Sequence, residues 1–142
     1  MYKNEFDNYL KQNKKFKAYM FYGQSIFLVE QYALVIAQSL GNDDEIEKLY
    51  FEEYDFKYTK DKLLQSSLFS SNNIILIKLD KKIPKKEVDS LIEACNLNPD
   101  STLIFACLGD SDFKTMEASF SLKTNSAAVR FFLPTDTEPI KF

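Results

Sequence analysis

Two stretches, N-I-I-L-I-K-L at Asn73–Leu79 and S-T-L-I-F-A-C-L at Ser101–Leu108, are apolar at nearly every position rather than at alternate ones. A strand with one wet face alternates; a strand covered on both faces does not, and such strands belong mostly to parallel sheets. Parallel strands need long crossovers, usually helical. The chain supplies that alternation. Lys17–Tyr22 is a further apolar run ending at Gly23, Lys48–Tyr54 is a strand candidate, and Ala127–Leu133 reads as a last strand.

Between these strands the period lengthens. Phe6, Tyr9 and Leu10 mark a helix within Met1–Lys15. Ser25 is placed to cap a helix running to Leu40, with Gly41 as its C′ residue. Its apolar residues Ile26, Phe27, Leu28, Tyr32, Leu34, Val35 and Ile36 wrap most of the cylinder, which predicts burial on several sides. Further helices are expected from a Thr59 cap to Leu64, over Pro84–Ala94 and over Asp112–Leu122. The sum is an α/β domain with a mostly parallel sheet flanked by helices on both faces.

Composition then removes most chemistry. The 142 residues include no His, so there is no Ser-His-Asp or Cys-His nucleophile system and no His-ligated zinc. Two cysteines cannot make a four-thiolate metal site, and three glycines, Gly23, Gly41 and Gly109, are too dispersed for a glycine-rich phosphate loop. Cys95 and Cys107 read as buried thiols of a reducing compartment. Lys and Arg total 18 against 21 Asp and Glu, a net charge of −3, and Arg130 is the one arginine. Such a chain is not built to coat nucleic acid by bulk charge. Met1–Lys15 lacks the apolar core of a signal peptide, and no apolar run is long enough to span a bilayer, so no membrane partner and a cytoplasmic location are expected.

Three ordered stretches carry a resemblance: A-Y-M-F-Y-G-Q-S-I-F-L-V-E at Ala18–Glu30, S-S-L-F-S-S-N-N-I-I-L-I at Ser66–Ile77, and N-P-D-S-T-L-I-F at Asn98–Phe105 followed by F-F-L-P at Phe131–Pro134. Together they resemble the delta subunit of the DNA polymerase III clamp loader. The resemblance implies an AAA+/RecA-like P-loop-type domain with a degenerate nucleotide site, no catalytic residue, no cofactor and no metal. It implies a single AAA+-like N-terminal domain over residues 1–142, without the family's second and collar domains. The segment after Pro134 lacks a terminal element, and the chain reads as the first domain of something longer. The residues agree about the site: Leu28 and Val29 stand where a phosphate loop would need glycine and lysine, and Lys81 follows Asp80 where a water-orienting glutamate would stand.

The resemblance also implies a function in DNA replication. The subunit binds the ring-shaped sliding clamp (beta subunit) through an adjacent Leu-Phe pair and helps open it, alongside the gamma/tau and delta-prime subunits, with primed DNA engaged through the complex. Leu68 and Phe69 match that pair, flanked by Ser67 and Ser70. Were a helix to continue from Leu64, Leu63, Leu64 and Leu68 would share one stripe and Phe69 would face away. The alternative is that the pair closes this domain's own core.

Other patterns in the sequence allow other readings. Pro99-Asp100 with Asp112-x-Lys114 fits the letters of a PD-(D/E)xK metal-dependent nuclease, yet Asp55-x-Lys57 and Asp80-x-Lys82 fit its second half as well. An orphan α/β protein-interaction module is the remaining alternative. Lys78, Lys81, Lys82, Lys85 and Lys86 make a basic patch that is either a solvated surface or an attraction for an acidic clamp or DNA. Tyr50, Phe51, Tyr54, Phe56 and Tyr58 are either core or a platform for single-stranded bases.

Overall fold

The computed structural model describes residues 1–65, 72–109 and 112–133. The elements in chain order are α1 (Lys3–Lys11), β1 (Ala18–Gly23), α2 (Ile26–Leu40), β2 (Ile46–Tyr50), α3 (Phe56–Leu64), β3 (Asn73–Leu79), α4 (Lys85–Leu97), β4 (Ser101–Cys107), α5 (Lys114–Glu117) and β5 (Ser126–Phe131). The strands form one sheet in the order β2-β3-β4-β1-β5, and every pairing is parallel.

Period-two alternation divides the core. Met20, Ile75, Ile77, Leu79, Leu103 and Phe105 point to one face, where Leu63 of α3 and Val88, Leu91 and Ile92 of α4 cover them. Tyr19, Phe21, Ile74, Leu76, Ile104 and Val129 point to the other, against Phe6 of α1 and Val29, Ala33 and Ile36 of α2. Both faces being covered is why β3 and β4 read as continuous apolar runs. β1 lies between β4 and β5, so the chain leaves it in one direction and returns past it in the other. In open α/β sheets the carboxyl ends of strands at such a reversal form a crevice where ligands bind.

Several expectations are corrected. The sheet covers one side of α2, burying Val29, Ala33, Ile36 and Ala37, while Ile26, Phe27 and Val35 remain more than half exposed. Gly41 is in extended backbone (φ −170°), not the left-handed conformation of a C′ glycine; it is small because a Cβ there would lie 2.7 Å from Ile74 Cδ1. α3 starts before Thr59, with the Asp55 carboxylate accepting from Tyr58 N at 2.7 Å; Thr59 is fully buried and donates its hydroxyl to Asp55 O. β2 stops at Tyr50, whose N–H donates to the Glu53 carboxylate across a single 3-10 turn. Pro84 caps α4 rather than sitting inside it. The helix expected over Asp112–Leu122 shrinks to α5. Ser121 and Ser126 spend their hydroxyls on backbone groups of the following turn, which competes with helix continuation.

Candidate functional site

The β1–α2 junction decides whether the domain can cradle phosphate. Only Gln24 and Ser25 separate Gly23 from the first residue of α2. Two of the amides at this turn are already paired within the protein. Gln24 N donates to Phe131 O at 2.9 Å, and Leu28 N donates to Ser25 Oγ at 3.2 Å. Gly23 has φ +129°, and a Cβ there would stand 2.1 Å from Phe131 O, so this glycine serves the close approach of β1 to β5. Val29, in the place of the phosphate-binding lysine, is wholly buried on the sheet side of α2. At the end of β3, the Lys81 ammonium lies 6.0 Å from the Phe51 ring centroid.

The nuclease pattern does not assemble. Asp100 precedes β4 and Asp112 follows it, so a seven-residue strand separates them, roughly 20 Å at ~3.3 Å per residue. One metal ion needs its carboxylates within a few ångströms. Asp112 Oδ1 instead accepts from Lys114 N at 3.1 Å, and no group of three metal-type ligands occurs among the described residues.

Leu68, Phe69, Ser67 and Ser70 lie outside the described residues. Their flanks do not. α3 ends at Leu64, because Gln65 takes extended angles (φ −77°, ψ 128°), and Leu64 is exposed while Leu63 is buried. α3 thus ends before the expected stripe reaches Leu68, which lies outside the described residues. Side chains from the starts of β3 and β4 and the turn before β4 hold the last carbonyls of α3. Asn73 Nδ2 donates to Lys62 O at 2.6 Å, Ser101 Oγ to Leu63 O at 2.6 Å, and Asn98 Nδ2 to Leu63 O and Gln65 O at 3.0 and 3.1 Å. After the segment, Asn72 N donates to Glu45 Oε2 at 3.0 Å and Asn73 N to Asp100 O at 2.8 Å. The described residues on either side of positions 66–71 are thus held by hydrogen bonds. Sequence reasoning missed Asn73, Asn98 and Ser101 as its anchors; the available signal was polar residues at the mouths of otherwise apolar strands.

The lysine patch sits at the other end of β3 from Asn73, roughly 20 Å away across its seven residues. Lys85 pairs with Asp89 at 3.0 Å and the Lys78 ammonium lies 5.7 Å from the Tyr50 ring centroid. The aromatic cluster is mostly structural: Phe51, Tyr54 and Phe56 pack on the core, and Tyr54 and Tyr58 donate to Glu87 and Glu47. Cys95 and Cys107 are free and buried, and burial pushes the Cys95 thiol up to about 12. No helix among the described residues is long and apolar enough to cross a membrane.

An all-parallel sheet whose first strand feeds its helix without a phosphate loop defines an α/β domain of nucleotide-binding topology with no cradle for the phosphates. A family model described as DNA polymerase III, delta subunit, matches residues 19–132, and the chain belongs to that family. The solved DNA clamp loader delta protein of Bacillus subtilis superposes with a TM-score of 0.64 over 91% of this chain and 42% of that one, at 15% identity, a likeness of fold. A protein of Helicobacter pylori strain J99 is 29% identical over 160 residues, and one of strain 26695 is 27% identical over 161. The alignments take in 100% of this chain and 47% of each relative, so the chain spans about half their length.

Proposed function

We propose that residues 1–142 form an AAA+-like N-terminal domain of a clamp-loader delta subunit, a non-catalytic part of the replicative polymerase III assembly in the cytoplasm. Its partners are the sliding clamp and the gamma/tau and delta-prime subunits, with primed DNA engaged through the complex. Family membership over residues 19–132 is the observation that carries this reading. The paired Gln24 and Leu28 amides and the buried Val29 agree with a subunit that does not turn over ATP.

Leu68 and Phe69 are the proposed clamp anchor, with Ser67 and Ser70 beside them. In support, the described residues on either side of the pair are held in place, Gln65 O by Asn98 and Asn72 N by Glu45. Burying a leucine and a phenylalanine on a partner contributes roughly 1.5–3 kcal/mol each. Ring opening follows if the anchor prefers the open interface, since equal affinity for both states shifts nothing. The test is surface plasmon resonance of the chain on immobilised clamp. Leu68→Ala/Phe69→Ala is expected to weaken binding about 100-fold or more, and Ser67→Ala/Ser70→Ala less than about 3-fold. A double variant with native circular dichroism and unchanged affinity refutes the anchor.

A further inference from the structure

The sheet face that α1 and α2 cover is left bare at one corner. Period-two alternation puts Lys48 and Tyr50 of β2 on that face with Leu76 and Lys78 of β3. Lys48 stands beside Leu76 and Tyr50 beside Lys78 in the strand register. Lys48 and Tyr50 are exposed, and Lys78 is half-buried. A lysine on an edge strand such as β2 guards against unwanted pairing. Lys78 has no such duty, because β3 is paired on both sides, yet it interrupts an otherwise apolar run. Neither lysine forms a salt bridge with a carboxylate among the described residues.

A groove separates this corner from α2. Its cavity of ≈ 130 Å³ has Ala33 and Leu76 on an apolar floor, Glu30 and Leu34 on the α2 wall, and Lys48 and Lys78 opposite. Phe27, 71% exposed, stands on the same face of α2, one turn before Glu30 and two before Leu34. Large apolar side chains exposed beside an apolar slot with a charged rim mark an interaction surface.

The lining narrows what the groove accepts. The volume is well below the roughly 300–1,000 Å³ of pockets that take drug-sized ligands, so it receives a single side chain. Leucine and alanine walls suit an aliphatic group, whereas nucleobases stack on aromatic platforms, and the Tyr50 ring already has the Lys78 ammonium 5.7 Å from its centroid. A nucleic acid carries a phosphate at every nucleotide, and Glu30 repels the nearest one. A polypeptide sets carboxylates against the lysines and an uncharged residue against Glu30.

We propose that this groove docks an acidic segment of another protein, seating one aliphatic side chain between Leu34 and Leu76 with carboxylates against the Lys48 and Lys78 ammoniums. The proposal goes beyond the clamp reading and uses none of the residues of the proposed anchor.

The test is fluorescence anisotropy of a labelled, capped Gly-Asp-Glu-Leu-Asp-Glu-Gly peptide titrated with the 142-residue chain. Saturable binding that weakens with added salt is expected. Replacing the peptide's leucine by glycine should weaken binding about 10-fold or more, as for a lost buried aliphatic group. Replacing its carboxylates by amides should abolish the salt dependence. Lys48→Gln/Lys78→Gln should weaken binding about 5-fold, as for two exposed ion pairs, while Lys11→Gln/Lys15→Gln, on and just after α1, leaves it unchanged. Equal binding of the glycine peptide, equal loss in both lysine pairs, or tighter binding of an oligothymidylate of similar length overturns the proposal. Two further results overturn it by naming a different occupant. Asp136→Asn/Glu138→Gln, which lies outside the described residues, would tighten peptide binding if the chain filled its own groove. Self-association of the free chain in sedimentation, lost in Lys48→Gln/Lys78→Gln, would assign the groove to a second copy. The peptide-side changes keep the test decisive should a lysine variant fail to fold.

Discussion

Gly23→Ala separates a packing glycine from a relic of a phosphate loop. The added Cβ would sit 2.1 Å from Phe131 O, 2.7 Å from its N and 3.0 Å from its C, all backbone atoms of the adjacent strand. No rotamer relieves such a contact, and φ +129° is itself strained for alanine. The strained conformation costs about 1–3 kcal/mol. Retreat of β1 from β5 also breaks the Gln24 N–Phe131 O bond, about 1 kcal/mol more. A loss of roughly 3 kcal/mol is a large part of the about 5–15 kcal/mol that holds a domain together. At a chain length near this one it corresponds to a Tm drop of roughly 10 °C. Urea unfolding followed by circular dichroism measures it, with an unchanged m-value confirming that stability alone moved. Gly41→Ala is the control. Its Cβ would meet only side-chain ends, Ile74 Cδ1 at 2.7 Å and Glu45 Oε1 at 2.9 Å, in ordinary extended backbone, so the loss should be clearly smaller than at Gly23. A Gly23→Ala loss below about 1 kcal/mol, or micromolar Mg-ATP binding by the unmodified chain that this variant abolishes, refutes the packing argument.

Asn98→Ala removes donors to Leu63 O and Gln65 O and an acceptor for Asp100 N, and should lower stability by about 2–3 kcal/mol while weakening clamp binding under native conditions. Equal clamp affinity in a folded Asn98→Ala chain shows that these bonds do not position the anchor. Val29→Lys places the phosphate-loop lysine back in sequence but buries an unpaired ammonium; calorimetry should show a loss of about 3–5 kcal/mol and no gain of ATP binding. Stability should be flat between pH 6 and 8, since the chain has no His, and should fall from about pH 9 upward. The sign follows from Cys95, raised by burial from 9.0 to about 12: between those values the unfolded chain has released a proton that the folded chain keeps, so alkali favours unfolding. The slope is about 1.4 kcal/mol per pH unit for that thiol, and Cys107 and Tyr54, also raised by burial, steepen it. Urea midpoints across pH 6–11 check both limbs.

Local pattern alone determined the strands, their parallel pairing and the loss of the phosphate loop. Continuous β-branched runs cannot be half-exposed, and Leu28 and Val29 cannot do the work of glycine and lysine wherever they lie. Leu68 and Phe69 are proposed on resemblance alone; composition and period do not single them out. Tertiary structure decided what depends on strand order. Arg130 is 108 positions from Tyr22 in the chain, yet the placement of β5 beside β1 makes them register partners. Asn98 caps a helix that ended more than thirty residues earlier only because β4 starts beneath the end of α3. The same dependence explains the errors. The apolar wrapping of α2 predicted cover on several sides, but hydrophobicity states a preference for burial, and the sheet offers a helix only one face.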